Sequence, residues 1–78
     1  MNLPATIALD VTTPGVRVTA LASGKWRVTT RTGALLGHLE AVGPGEFRAM
    51  RFSVRERGFR RLGEFRSASD AADALRFG

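Results

Sequence analysis

The chemistry this chain could carry out is concentrated in one run of arginines. Arg48, Arg51, Arg55, Arg57, Arg60, Arg61 and Arg66 are interrupted by only two carboxylates, Glu56 and Glu64. A guanidinium is a permanently charged planar fork that pairs bidentately with phosphate and stacks on flat rings, whereas a lysine ammonium is a mobile point charge. Eleven of the chain's twelve cationic side chains are arginine, and the formal net charge is +5. Such a cluster implies a surface for phosphate groups, with an affinity that falls steeply as salt rises because each neutralised phosphate releases counterions. Lys25, Arg27 and Arg31 extend that surface if their strand lies in the same sheet. The same residues also suit a solvated sheet face stitched by cross-strand ion pairs, such as Arg60 or Arg66 with Glu40.

Reading base edges would need particular forks, as arginine provides for guanine. Arg48 and Arg51 are three apart, so strict alternation sends them to opposite faces of a strand. A β-bulge near Met50 would reconcile them, and without one of the two is structural.

Other chemistry is poorly supplied. His38 is the single histidine and the chain has no cysteine, so no second soft ligand can share a metal with it. Glu40 falls on the same strand face as His38, which predicts a surface His–Glu contact. Nothing resembles a nucleophile with its base, a glycine loop cradling phosphate, or paired carboxylates in a pocket. The expectation is a protein that is not an enzyme, with no catalytic residue, cofactor or metal. Without cysteine, disulfide staples are excluded. The beginning of the chain carries neither a basic leader nor a long apolar run, so a cytoplasmic protein away from membranes is expected.

These side chains need a scaffold, and 78 residues allow a single domain spanning 1–78, in which residues 1–5 are expected to be loose. A hydrophobic content of 44% and a charged content of 24% suit a folded globular chain. Turn signals recur every eight to twelve residues, the spacing of an antiparallel meander. They are Thr12-Thr13-Pro14-Gly15, two-residue turns at Ser23-Gly24 and Thr32-Gly33, then Gly43-Pro44-Gly45 and Glu56-Arg57-Gly58. The first candidate strand alternates Ile7, Leu9 and Val11 with Thr6, Ala8 and Asp10. The second runs from Val16 to Ala22, with Val16, Val18 and Ala20 on one face. The third, Lys25 to Arg31, sets Trp26, Val28 and Thr30 against Lys25, Arg27, Thr29 and Arg31. Three more follow, Ala34 to Val42, Phe47 to Val54 and Arg60 to Arg66. Period-two alternation means one buried face and one wet face.

A helix closes the chain. Ala68, Ala71, Ala72 and Leu75 fall at helical spacing, Ser67 and Asp70 resemble a capping box, and Arg76 suits the negative pole. So short a helix must dock to persist, and Gly37 and Gly63 would let its alanine face approach the sheet. Phe47, Phe59 and Phe65 are expected in the core, with Phe77 sealing the helix end. Trp26 and Phe52 could stack on unpaired bases, though core packing is the expected role of Trp26. The predicted fold is α+β: an antiparallel meander of four to six strands with one C-terminal helix packed on one face.

The pieces Gly45-Glu46-Phe47, Leu62-Gly63-Glu64-Phe65 and Ser69-Asp70-Ala71-Ala72-Asp73-Ala74-Leu75 carry a resemblance. Residues 45–75 resemble the small DNA-binding domains of plant ethylene-response factors and the arm-site domains of tyrosine recombinases. The resemblance implies a three-stranded antiparallel sheet laid in the major groove and backed by the helix. It implies that Arg48 and Arg51 meet DNA from one strand, and that Arg60 and Arg61 lead the next. The chain departs from those families where His38 and Glu40 stand in place of arginines and where Trp26 lies far upstream.

The partner expected first is therefore duplex DNA, held by Lys25, Arg27, Arg31, Arg48, Arg51, Arg55, Arg57, Arg60 and Arg61. A second expectation, from another class, is a protein-interaction or regulatory domain that meets an acidic protein partner through the basic face. An open strand edge would serve the same role or build a homodimer.

Overall fold

The computed structural model describes residues 9, 11–22 and 24–78. Five strands follow one another in a single antiparallel sheet whose order is the order of the chain. They are β1 (Val16–Ala22), β2 (Lys25–Thr30), β3 (Leu35–Gly43), β4 (Glu46–Ser53) and β5 (Gly58–Phe65), and α1 (Ala68–Phe77) packs on one face against β3, β4 and β5. The architecture is the expected α+β meander with a C-terminal helix. Glycine makes the tight reversals possible, since Gly24 and Gly45 take φ values of 75° and 69° that side chains resist. At Thr32-Gly33 the connection is longer than the two residues expected, because a hydrogen bond from Thr30 N to Ala34 O closes the loop first.

Register decides what the helix meets. Ala20, Trp26, Leu39, Ala49 and Gly63 stand opposite one another in a row across all five strands, and Val18, Val28 and Gly37 form the next row. Trp26, Val28, Leu39 and Ala49 are buried there with Ala68, Ala71, Ala72 and Leu75 of α1. Complete burial of side chains such as Leu39, Leu75 and Val28 stabilises by about 1.5–3 kcal/mol each. The helix is capped as its sequence implies, with Ser67 Oγ accepting from Asp70 N at 3.0 Å. Its close approach depends on Gly37, where an added Cβ would lie 2.9 Å from Leu75 Cδ2 and 2.0 Å from the Met50 carbonyl oxygen. Gly63 does not share that duty, since a Cβ there would meet only the Phe65 ring at ordinary contact distance.

The helix covers only part of its face. Leu9 and Val11 pack against the rest of the core, and the adjoining residues anchor to α1. Thr12 N donates to Ser69 Oγ at 3.0 Å, and Thr13 Oγ1 donates to Asp73 Oδ1. Leu9 and Val11 are therefore partly buried against the core and outside any strand, contrary to the first candidate strand. The remaining residues of that strand, with residues 1–5 and Ser23, lie outside the described residues.

One irregularity redirects the basic segment. Ala49 pairs with Gly63 and Met50 with Arg61, so Leu62 is an extra residue in β5. Beyond it alternation is reversed, with Gly63 and Phe65 on the helix side while Arg61 and Phe59 emerge on the open side. Phe59, expected in the core, is consequently 44% exposed. Phe77 does not seal the helix end either; it is 65% exposed, with the Arg76 guanidinium 5.3 Å from its ring centre. Among the described residues no helix is long and apolar enough to cross a membrane.

Candidate nucleic-acid interface

The open face of the sheet is a set of cross-strand rows, because residues opposite one another on neighbouring strands point the same way. One row reads Lys25, Glu40, Arg48, Glu64 across β2 to β5, alternating in sign at every step. Lys25 Nζ lies 3.7 Å from Glu40, and Arg48 Nη1 lies 3.6 Å from the other Glu40 oxygen. Arg48 also donates to Glu64 Oε2 from Nε at 3.1 Å and from Nη2 at 2.9 Å. Glu64 takes Arg61 as well, at 3.6 Å. His38 Nε2 stands 3.5 Å from Glu40, the His–Glu contact expected of that spacing. Two carboxylates thus engage three of the predicted phosphate-binding cations. Single exposed pairs of this kind are worth no more than about 1 kcal/mol, so Lys25, Arg48 and Arg61 are partly neutralised rather than locked away.

Arg51 and Arg60 face the other side. They stand directly opposite each other on β4 and β5, a like-charge pair that is unfavourable unless each finds a separate partner. Arg51 Nη2 donates to the Ala74 carbonyl at 2.9 Å, reaching the negative end of α1. Arg60 Nη1 turns back to Glu56 at 3.8 Å. The bulge falls in β5 at Leu62 rather than in β4 near Met50, so Arg48 and Arg51 keep to opposite faces. Arg51 is the structural member of the two. The pairing of Glu40 with Arg60 or Arg66 does not form.

The remaining cations are unclaimed. Among the described residues the side chains of Arg17, Arg27, Arg31, Arg55, Arg57 and Arg66 have no hydrogen-bond or ion-pair partner, and all six residues are exposed. Meander topology gathers most of them. The β2–β3 turn with Arg31 and the β4–β5 turn with Arg55 and Arg57 lie at the same end of the sheet, where β1 also begins with Arg17. We call this the basal end. Arg51, Arg60 and Arg76 lie towards it, with two carboxylates among the described residues: Glu56 in the turn and, on α1, Asp73, which accepts from Thr13 Oγ1. The opposite end holds Glu40, Glu46, Glu64 and Asp70 with Lys25, Arg48 and Arg66. Charge is therefore divided along the strands more than between the two faces. Arg57 is held at φ 54°, a left-handed conformation uncommon for a residue with a side chain.

Aromatic residues complete the face. Trp26 is core, packed edge-on to Phe47 at 6.1 Å, and offers nothing to a ligand. Phe52 and Phe59 instead stand opposite each other on the open side, with ring centres 5.4 Å apart, and the His38 ring lies 4.5 Å from Phe59. Sequence reasoning missed Arg17 and Phe59. Arg17 was legible as the charged alternate of Val16 and Val18. Phe59 had no such signal, because the extra residue that turns it outward is visible only in the pairing. No protein-family model, curated protein or solved structure matches this chain.

Proposed function

We propose that this protein binds DNA through its phosphate backbone, using the basal end of the sheet and the adjoining open face. The observation that carries this reading is the set of exposed arginines without carboxylate partners: Arg17, Arg31, Arg55 and Arg57, collected by the topology near one end, and Arg27 in mid-strand on the open face. Free forks at the mouths of two turns meet phosphates without first breaking an ion pair. The resemblance of residues 45–75 to DNA-binding domains points to the same partner through other residues. Arg48 and Arg51 are engaged elsewhere, so the reading favours backbone contact over base readout by that pair. On this proposal the protein binds and performs no covalent chemistry.

The test is a salt titration with a labelled DNA duplex. Binding should be micromolar or tighter at low salt, and its logarithm should fall with the logarithm of salt with a slope of roughly −3 to −5, about −0.9 per phosphate neutralised. Arg31→Ala, Arg55→Ala and Arg57→Ala together should weaken binding and flatten that slope while leaving the melting temperature in place. Absence of binding, or binding indifferent to salt, would overturn the proposal.

A second reading, pairing with another chain, is favoured by the contrast between the two sheet edges. Both edge strands carry a bulge, but β5 is also blunted by Arg60, Arg61 and Glu64, whereas β1 carries Arg17 alone and exposes Leu21 at its bulge. Sedimentation with and without DNA separates the two readings: a concentration-dependent dimer without DNA supports edge pairing, and a monomer that gains mass only with DNA supports the first.

A further inference from the structure

We infer that the ligand of this face is a nucleic-acid strand with unpaired bases, stacked on Phe59 and its aromatic neighbours. This rests on the backbone-binding proposal above and adds to it the state of the nucleic acid.

Two adjoining rows carry the argument. Arg27, His38, Met50 and Arg61 stand opposite one another across β2 to β5, with cations at both ends and a polarisable centre between. In the neighbouring row towards the basal end, Phe52 and Phe59 pair across β4 and β5. The rings of His38, Phe59 and Phe52 form one cluster, tilted by 46° and 58°, with Phe59 outermost at 44% exposure. The helix lies on the opposite face, so no described element covers these rings. Their surroundings determine what fits there. The carboxylates of the open-face strands, Glu40 and Glu64 in one row and Glu46 beyond it, lie on the side away from Phe52 and Phe59. On the near side the turns carry Arg31, Arg55 and Arg57, with the one turn carboxylate, Glu56, 3.8 Å from Arg60.

An apolar partner would meet this ring of cations and leave them without counter-charge. A duplex presents phosphates to the arginines and only base edges in its grooves, leaving the aromatic cluster unused. An unpaired strand satisfies both parts, since every base has a flat face to stack and every nucleotide a phosphate to pair. Arg27 and Arg61 are three strand spacings apart, about 14 Å, which lets a short run of nucleotides cross the rings between two charged flanks.

DNA and RNA share this chemistry, so the experiment carries both. Labelled oligothymidylate, labelled oligouridylate and a labelled duplex of equal length are titrated against the full chain and against Phe59→Ala. One of the single strands should bind at least about tenfold tighter than the duplex. Phe59→Ala should weaken single-strand binding by roughly ten- to a hundredfold, the loss of one stacked base, and leave duplex binding unchanged. Phe59→Trp gives a second readout, an exposed indole whose fluorescence an unpaired strand quenches while the buried Trp26 stays silent. Equal, salt-dependent binding of strand and duplex with Phe59→Ala silent overturns the stacking inference and leaves backbone binding standing. No binding by any of the three overturns both.

Discussion

Replacing Arg51 with methionine separates the two roles available to the most central arginine of β4. The substitution keeps an unbranched apolar stem and removes the guanidinium. In the folded chain Arg51 Nη2 donates to the Ala74 carbonyl at 2.9 Å, and the same oxygen accepts from Gly78 N at 3.0 Å. A hydrogen bond from a charged donor contributes about 1.5–3 kcal/mol, the lower end applying where water still reaches the group, as at this half-buried side chain. Its charge beside the last turn of α1 adds about 0.3–1 kcal/mol. Removing the like-charge opposition to Arg60 returns about 0.2–1 kcal/mol. The net expectation is a loss of about 1–2 kcal/mol. For a domain of this length that corresponds to a melting temperature lower by roughly 5–15 °C.

Urea unfolding followed by the fluorescence of Trp26, which leaves the core on unfolding, measures the loss directly. The midpoint should fall while the slope with urea stays unchanged, because the surface exposed on unfolding is the same. Nucleic-acid affinity, measured where both proteins are folded, should change by less than about twofold, since one phosphate contact is worth more than that at low salt. If Arg51→Met unfolds with the parent protein yet loses affinity, Arg51 touches ligand and the helix-anchor account is wrong.

Gly37→Ala should abolish cooperative unfolding, because its Cβ would sit 2.0 Å from the Met50 carbonyl oxygen, in the backbone of the paired strand. Overpacking typically costs about 1–3 kcal/mol where side chains can yield, and here the nearest neighbour is backbone; a thermal melt that still shows a sharp transition near the parent's would refute the β3–β4 register. Glu64→Gln should release Arg48 and Arg61 at a loss of no more than about 1 kcal/mol in stability, tighten nucleic-acid binding severalfold and steepen its salt slope by about one. Unchanged affinity and slope in fluorescence anisotropy would mean that the row of alternating charge lies away from the ligand.

The strands and the helix were legible because their signals are local. Alternation in Val16, Val18 and Ala20, and in Trp26 and Val28, identifies the buried side without any knowledge of partners. Ala68, Ala71, Ala72 and Leu75 with the Ser67 cap do the same for α1. The His38–Glu40 contact was likewise readable from a spacing of two along one strand. The candidate site was less legible. Its free arginines and its aromatic cluster depend on which side chains meet across strands, and an ion pair such as Arg48 with Glu64 joins positions sixteen apart in sequence.

By itself the sequence determined an antiparallel meander of four to six strands ending in a small-faced helix, a surplus of arginine, and the absence of any cysteine-based chemistry. Those properties follow from side-chain periodicity, turn residues and composition, none of which needs a distant partner. Tertiary structure alone decided that Arg51 anchors the helix, that Phe59 faces outward, and that the unclaimed cations collect at the basal end. The physical reason is that one extra residue in β5 reverses alternation for everything before it. A meander also brings every second turn to the same end, however far apart those turns lie along the chain.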